Sequence, residues 1–153
     1  MPNWCENTLE VSGTTEDIKA FKTQAKKEEG EHKTDLSLAQ FVPLPAELKD
    51  TRSPALKPNK KLIAQLGFDN WYDWQIHNWG TKWDVNATLS SEKPRTLHYF
   101  FDTAWSPPTA WLEKVSAMFP NLKFKLKYEE PGMAFHGTLK AYQGTLDDQC
   151  FQD

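Results

Sequence analysis

The side chains best suited to chemistry are crowded into one stretch of this chain. From Trp71 to Asp84 it reads W-Y-D-W-Q-I-H-N-W-G-T-K-W-D, which holds four of the chain's seven tryptophans. Clustered aromatics can hold a base, a sugar ring or a peptide side chain against their faces. At about 100° per residue, Trp71, Tyr72, Trp74, Ile76 and Trp79 cover one broad apolar arc. Asn78 falls inside that arc, where its amide needs a hydrogen-bonding partner. Asp73 and His77 lie opposite at i, i+4. The candidate ligand-binding set is Trp71, Trp74, Asn78, Trp79 and Trp83, joined by Trp105 further along. The competing reading is a helix that anchors the fold with large side chains, since buried aromatics are usually core.

Imidazole and carboxylate suit zinc, so Asp73 and His77 are weak metal candidates. His98, Asp102 and Asp84 form a second such group. No H-E-x-x-H or paired-cysteine spacing accompanies them, and an Asp–His pair at i, i+4 is ordinary on a helix surface. No G-x-S-x-G elbow is present, and Cys5 has no local nucleophile signature. Glu129 and Glu130 are adjacent on a strand and point apart. There is no glycine-rich phosphate loop. The chain therefore reads as a non-enzyme without a cofactor, and a metal-dependent hydrolase is the third reading.

Basic residues suggest another activity. Lys123, Lys125 and Lys127 occupy one face of a strand, and Lys140 can join them. Lys49, Arg52, Lys57, Lys60 and Lys61 face a single acid, Asp50, over residues 49–61. These sets are the candidate contacts for RNA or single-stranded DNA. Against that stand a net charge of −3 and a sequence pI near 5.8. The K/R-G-F/Y-G/A-F motif of aromatic RNA-binding sheets is also missing.

Alternation and capping locate the elements that carry these residues. Cys5, Asn7, Leu9 and Val11 share one face of a first strand. Thr14 or Thr15 caps a helix carrying Ile18, Phe21 and Ala25, and a charged loop surrounds Gly30. The apolar run Leu36–Val42 reads as a second strand, closed by Pro43-Leu44-Pro45. A basic loop containing Pro54 and Pro58 follows. A short helix then runs from Asn59 to Leu66 and stops at Gly67. Asn70 caps the tryptophan helix and Gly80 ends it.

From Thr81 the period changes to two, with Trp83, Val85, Ala87 and Leu89 on one face. Ser90–Pro94 reads as the turn into a hairpin strand, Leu97–Asp102. Ser106 and Pro107 start a helix striped by Trp111, Leu112, Val115, Met118 and Phe119. Leu122, Phe124, Leu126 and Tyr128 then alternate with the lysines. Met133–Leu139 returns as a last strand after Pro131-Gly132.

This order predicts an α+β fold. It is a two-layer ferredoxin-like sandwich, with a mostly antiparallel sheet, helices on one face and a Trp-rich helical insertion at about 46–80. The domain runs over residues 1–144, and 145–153 reads as a flexible tail. With 39% hydrophobic, 25% charged and 13% aromatic residues, the chain can bury a core without staples. Two cysteines are too few for a disulfide framework. No basic, apolar leader opens the chain and no apolar run approaches ~18 residues, so the expectation is cytoplasmic and not membrane-bound.

Several strings together resemble the YubB-like ferredoxin-fold family. They are M-P-N-W-C-E-N-T-L-E-V-S-G, F-V-P-L-P-A-E-L, W-Y-D-W-Q-I-H-N-W-G-T-K-W-D, F-D-T-A-W-S-P-P and E-E-P-G-M-A-F-H-G. They span nearly the whole chain. The resemblance implies a ferredoxin-like fold and a phage, plasmid or bacterial setting, with no catalytic set to carry over. The leading expectation is a binding module holding a protein or small ligand near the Trp-rich segment.

Overall fold

The computed structural model describes residues 3–28, 33–52 and 57–152. Six strands and four α-helices follow one another as β1 (Trp4–Ser12), α1 (Thr15–Ala25), α2 (Lys60–Leu66), α3 (Trp71–Trp79), β2 (Thr88–Lys93), β3 (Thr96–Ala104), α4 (Thr109–Met118), β4 (Lys123–Glu130), β5 (Phe135–Tyr142) and β6 (Thr145–Gln152). All strand pairs are antiparallel, in the order β2-β3-β1-β4-β5-β6. The first four of these neighbours, with α1 and α4 as crossovers, make the split β-α-β unit of a ferredoxin-like fold. Hairpins add β5 and β6 outside β4. No helix is long and apolar enough to cross a membrane among the described residues.

The alternation read from the sequence sets which face each strand buries. Cys5, Asn7, Leu9 and Val11 are buried against the helices, as are Phe124, Leu126 and Tyr128 on β4. Ile18, Phe21 and Ala25 are the buried stripe of α1, whose N-cap is Thr14. Asn59 caps α2, and Gly67 ends it in the left-handed region. Asn70 caps α3 through the Asp73 amide, while its own amide donates to the Asp73 carboxylate at 2.9 Å. The described helices all cover one side of the sheet, and among the described residues the other face is bare.

Four expectations change. Leu36–Val42 is not a strand. It is an irregular segment with one 3₁₀ turn at Leu38–Gln40, and the edge position belongs to β2, which reaches β3 through a short local turn. Leu36, Ser37, Leu38, Phe41 and Val42 are all buried, so the run is enclosed rather than one-sided. Phe41 stacks on Phe21 of α1 at 4.9 Å and meets Trp111 of α4 edge-on at 5.8 Å. It closes the helix layer between them.

The strand expected from Thr81 starts only at Thr88 and runs through Ser90 to Lys93, past a bulge between Leu89 and Ser91. Side chains compete for the backbone at its start: Thr34 Oγ1 accepts from the Ala87 amide just before it at 2.7 Å, and Asp35 accepts from the Leu89 amide inside it at 2.7 Å. The interruption between α1 and β2 therefore covers 26–87 rather than 46–80. The third change is at the C-terminus, where 145–152 forms β6, paired with β5 along its length, instead of a loose tail. The expected loop centre Gly30 and the loop residue Pro54 lie outside the described residues.

The fourth change moves the start of α4. Thr109 is its first residue, and Ser106 does not cap it. The Ser106 hydroxyl instead donates to the Gly80 carbonyl at 2.9 Å. Gly80 has φ +85°, and a Cβ there would meet the Thr109 and Ala110 amide nitrogens at 3.1 and 3.2 Å. Both backbone handedness and close approach demand glycine. Gly67 has φ +82° with open space around it. We expect Gly67→Ala to cost about 1–2 kcal/mol from handedness. Gly80→Ala should cost measurably more, because α4 must also shift. Urea denaturation of the two variants checks this, and equal losses would refute a packing role for Gly80.

Candidate functional site

Packing divides the tryptophans. Trp74 (8% exposed) and Trp79 (2%) belong to the core and meet edge-on at 5.8 Å. Trp79 Nε1 donates to the Val42 carbonyl at 2.8 Å. Asn78 finds its partner within the helix, donating to the Trp74 carbonyl at 2.9 Å. Trp71 is half-buried, with its amide donating to Thr51 Oγ1 at 3.0 Å. By contrast, Trp83 is 40% and Trp105 50% exposed. The sequence set thus mixes fold anchors with surface indoles, because helical periodicity ends at Gly80 and does not govern Trp83 or Trp105.

Trp83 walls a concavity. A cleft of about 510 Å³ is bordered by Lys27, Lys33, Thr34, Ser37, Trp83 and Asn86. The volume is in the range of small-molecule sites. The Lys82 ammonium lies 4.6 Å from the Trp83 ring centre, at cation–π distance. Trp4 is the other neighbour of Trp83, at 6.2 Å. Asp84 also lines the cleft, but its carboxylate is already engaged. It accepts from Ser37 Oγ and the Leu38 amide at 2.6 Å each, and from the Val85 amide at 2.8 Å. Lys27 and Lys33 had no sequence signal as site residues. Only the antiparallel bridge between Lys27 and Thr34 brings them beside Trp83.

The bare sheet face carries the lysine row as expected. Lys123, Lys125 and Lys127 point outward from β4, and Lys140 pairs with Lys125 across β5. Phe100 of β3 lies on the same face, two strands from Lys127 and 46% exposed. Its place between His98 and Asp102 in the alternation was the signal that could have found it. The same face carries Glu6, Asp102 and Glu129 side by side on β1, β3 and β4. Lys49, Arg52, Lys57, Lys60 and Lys61 belong to the insertion, where all are exposed.

The acid and histidine candidates do not converge. Asp73 is spent on the α3 cap, and His77 lies 5.2 Å from Phe68. His98 faces Glu10 at 3.8 Å. Asp102 is four residues along β3 from His98, about 13 Å at strand rise. Asp84 serves the 3₁₀ turn. Among the described residues, no group of three or more His, Cys, Asp or Glu lies close enough to hold a metal ion.

Residues 78–153 match the family model described as the ferredoxin-like domain in Api92-like protein. The matched residues make up just under half of the chain, and over them it is similar to that family. The whole chain is also similar in fold to a crystal structure of protein api92 from Yersinia pseudotuberculosis. The TM-score is 0.64 at 11% sequence identity, over 100% of this chain and 99% of that one. No curated protein sequence matches. The match agrees with the YubB-like resemblance and with the ferredoxin-like topology of β1 to β4. It assigns no reaction and no ligand.

The two thiols of this chain differ sharply. Cys5 is buried, and burial pushes its thiol up to about 12. Cys150 is exposed on β6. Thiolate is the reactive form, and Cys5 is neutral throughout the physiological range. Titration with a thiol reagent at mildly alkaline pH should therefore report one reactive group in the native protein and two in denaturant. Two native groups would show that the inner face of β1 opens.

Proposed function

We propose that this chain is a non-enzymatic binding module that holds a small anionic ligand with a flat ring in the cleft beside Trp83. One observation carries the reading: a half-exposed indole walls a concavity whose rim bears Lys27 and Lys33, with Lys82 over the indole ring. A ring stacked on an exposed aromatic gains about 1–3 kcal/mol, and ammonium groups favour an anion beside it. A small ligand fits better than a protein because the feature is a cleft and not a flat patch. Trp74 and Trp79 contribute only by holding α3 in place.

RNA or single-stranded DNA on the lysine face draws support from Phe100. It is opposed by Glu6, Asp102 and Glu129 on the same surface, which repel phosphate.

Nucleoside monophosphates carry the required chemistry and are the probes. Calorimetry with AMP, GMP, CMP and UMP should give binding by at least one, with affinity falling about tenfold or more in Trp83→Ala, equivalent to ~1.4 kcal/mol. Lys27→Glu combined with Lys33→Glu should weaken it as well, while Trp105→Ala leaves it unchanged. Native mass spectrometry of freshly purified protein reports any co-purified ligand. No binding by the four probes at about 1 mM, with no co-purified mass, would end this reading.

A further inference from the structure

The bare face of the sheet is sorted by charge along the strands. At the end where β1 finishes, Lys93, Lys123, Lys125 and Lys140 face outward with Glu10 and Asp147. At the opposite end, Glu6, Asp102 and Glu129 form one cross-strand row, and Lys127 stands one row away. Lys123 and Glu129 lie six residues apart on β4, about 20 Å at strand rise. Among the described residues of this face, one half therefore has an excess of cations and the other an excess of carboxylates. Apolar side chains lie among them: Phe100, Tyr142, Phe151 and Trp4 are all exposed. Two shallow concavities, of about 680 and 570 Å³, give the surface relief.

We infer that this face is a self-complementary interface for a second copy of the chain. The two copies meet face to face about a two-fold axis that lies across the strands and exchanges their ends. Such an axis sets the lysine end of one sheet over the carboxylate row of the other, and repeats the match symmetrically. An isologous interface demands that the same patch carry both halves of each contact. Six strands spaced about 4.8 Å apart and six to nine residues long give a face roughly 25 Å on each side. That is the scale of a standard interface, about 800 Å² per partner once side-chain relief is counted. The exposed aromatics supply the apolar area that the flanking charges orient. A nucleic acid strand would gain at the lysine end and be repelled at the carboxylate end, and would leave the second half of the pattern unused. The pairing of opposite halves is what selects a second copy.

The test is a charge swap read by analytical ultracentrifugation at roughly 100 µM protein. Variant one carries Lys123→Glu and Lys140→Glu. Variant two carries Glu6→Lys and Glu129→Lys. All four side chains are exposed, and thermal melts check that each variant remains folded. The wild type should sediment as a dimer that weakens with added salt. Each variant alone should shift towards monomer, since it sets like charges against each other. An equimolar mixture should regain the dimer, because the acidic end of one variant then meets the basic end of the other. A wild type that is monomeric overturns the inference, and so does a dimer that neither variant disturbs. If a monomeric wild type instead retards single-stranded RNA at low salt, and variant one does not, the face belongs to nucleic acid. The Trp83 cleft is read separately, by nucleotide binding to whichever species is present.

Discussion

A buried chain segment without a strand partner must still find partners for its peptide groups, and residues 36–42 are under that constraint. They run under the helix layer with Leu36, Leu38, Phe41 and Val42 enclosed. Their amides at Leu38 and Ala39 donate to the Asp84 carboxylate. Their carbonyls at Leu38 and Val42 accept from the indole N–H groups of Trp111 and Trp79. Each such group left unpaired would cost about 1–3 kcal/mol. One carboxylate and two indoles thus add to the backbone bonds of the 3₁₀ turn and to the Ser37 amide, which donates to the Ala25 carbonyl. Phe41 then joins α1 to α4 and completes the core.

This arrangement explains where the remaining tryptophans go. Trp79 and Trp111 are drawn inward by their hydrogen bonds, and Trp74 packs edge-on against Trp79. Trp83 comes just before Asp84, whose carboxylate is bound to the 3₁₀ turn, and points to the outside beside Trp4. Trp105 follows β3 with φ +71°, and its amide donates to the Asn3 carbonyl at 2.8 Å. The inner indoles support the core, and the outer ones are free to meet a ligand. Core indoles are also what give the insertion a fixed orientation, because α2 has no buried residue of its own.

The sheet has two edges and one open face, and the sequence treats them differently. The β2 edge carries a bulge, Lys93 and Pro94, devices that discourage further pairing. The β6 edge carries Asp147 and Asp148, and Asp148 accepts from the Tyr128 hydroxyl at 2.6 Å. Tyr128 lies across Gly137, where a Cβ would fall 2.4 Å from its hydroxyl, so glycine is what lets that ring settle. Burial and the Asp148 carboxylate hold the phenol proton well above its usual range. Among the described residues, no helix or loop lies over the open face, and there alternation decides which charges meet solvent.

Sequence alone determined the features that depend on neighbours in the chain. Alternation assigned the buried faces of β1 and β4. Side-chain caps and glycines placed α1, α2 and α3, because Thr14, Asn59, Asn70, Gly67 and Gly80 act on amides and carbonyls a few residues away. The lysine row was legible for the same reason. Tertiary structure decided whatever rested on competition between distant partners. Leu36–Val42 lost the sheet edge to the local β2–β3 hairpin, which closes a shorter loop. Thr34 took the Ala87 amide that would have extended β2 back towards Thr81. Gly80, crowding the start of α4, kept Ser106 from capping it. The cleft beside Trp83 exists only because a bridge from Lys27 to Thr34 brings two lysines to an indole some fifty residues later in sequence. No periodicity encodes such a meeting, since it depends on the closure of the whole helix layer.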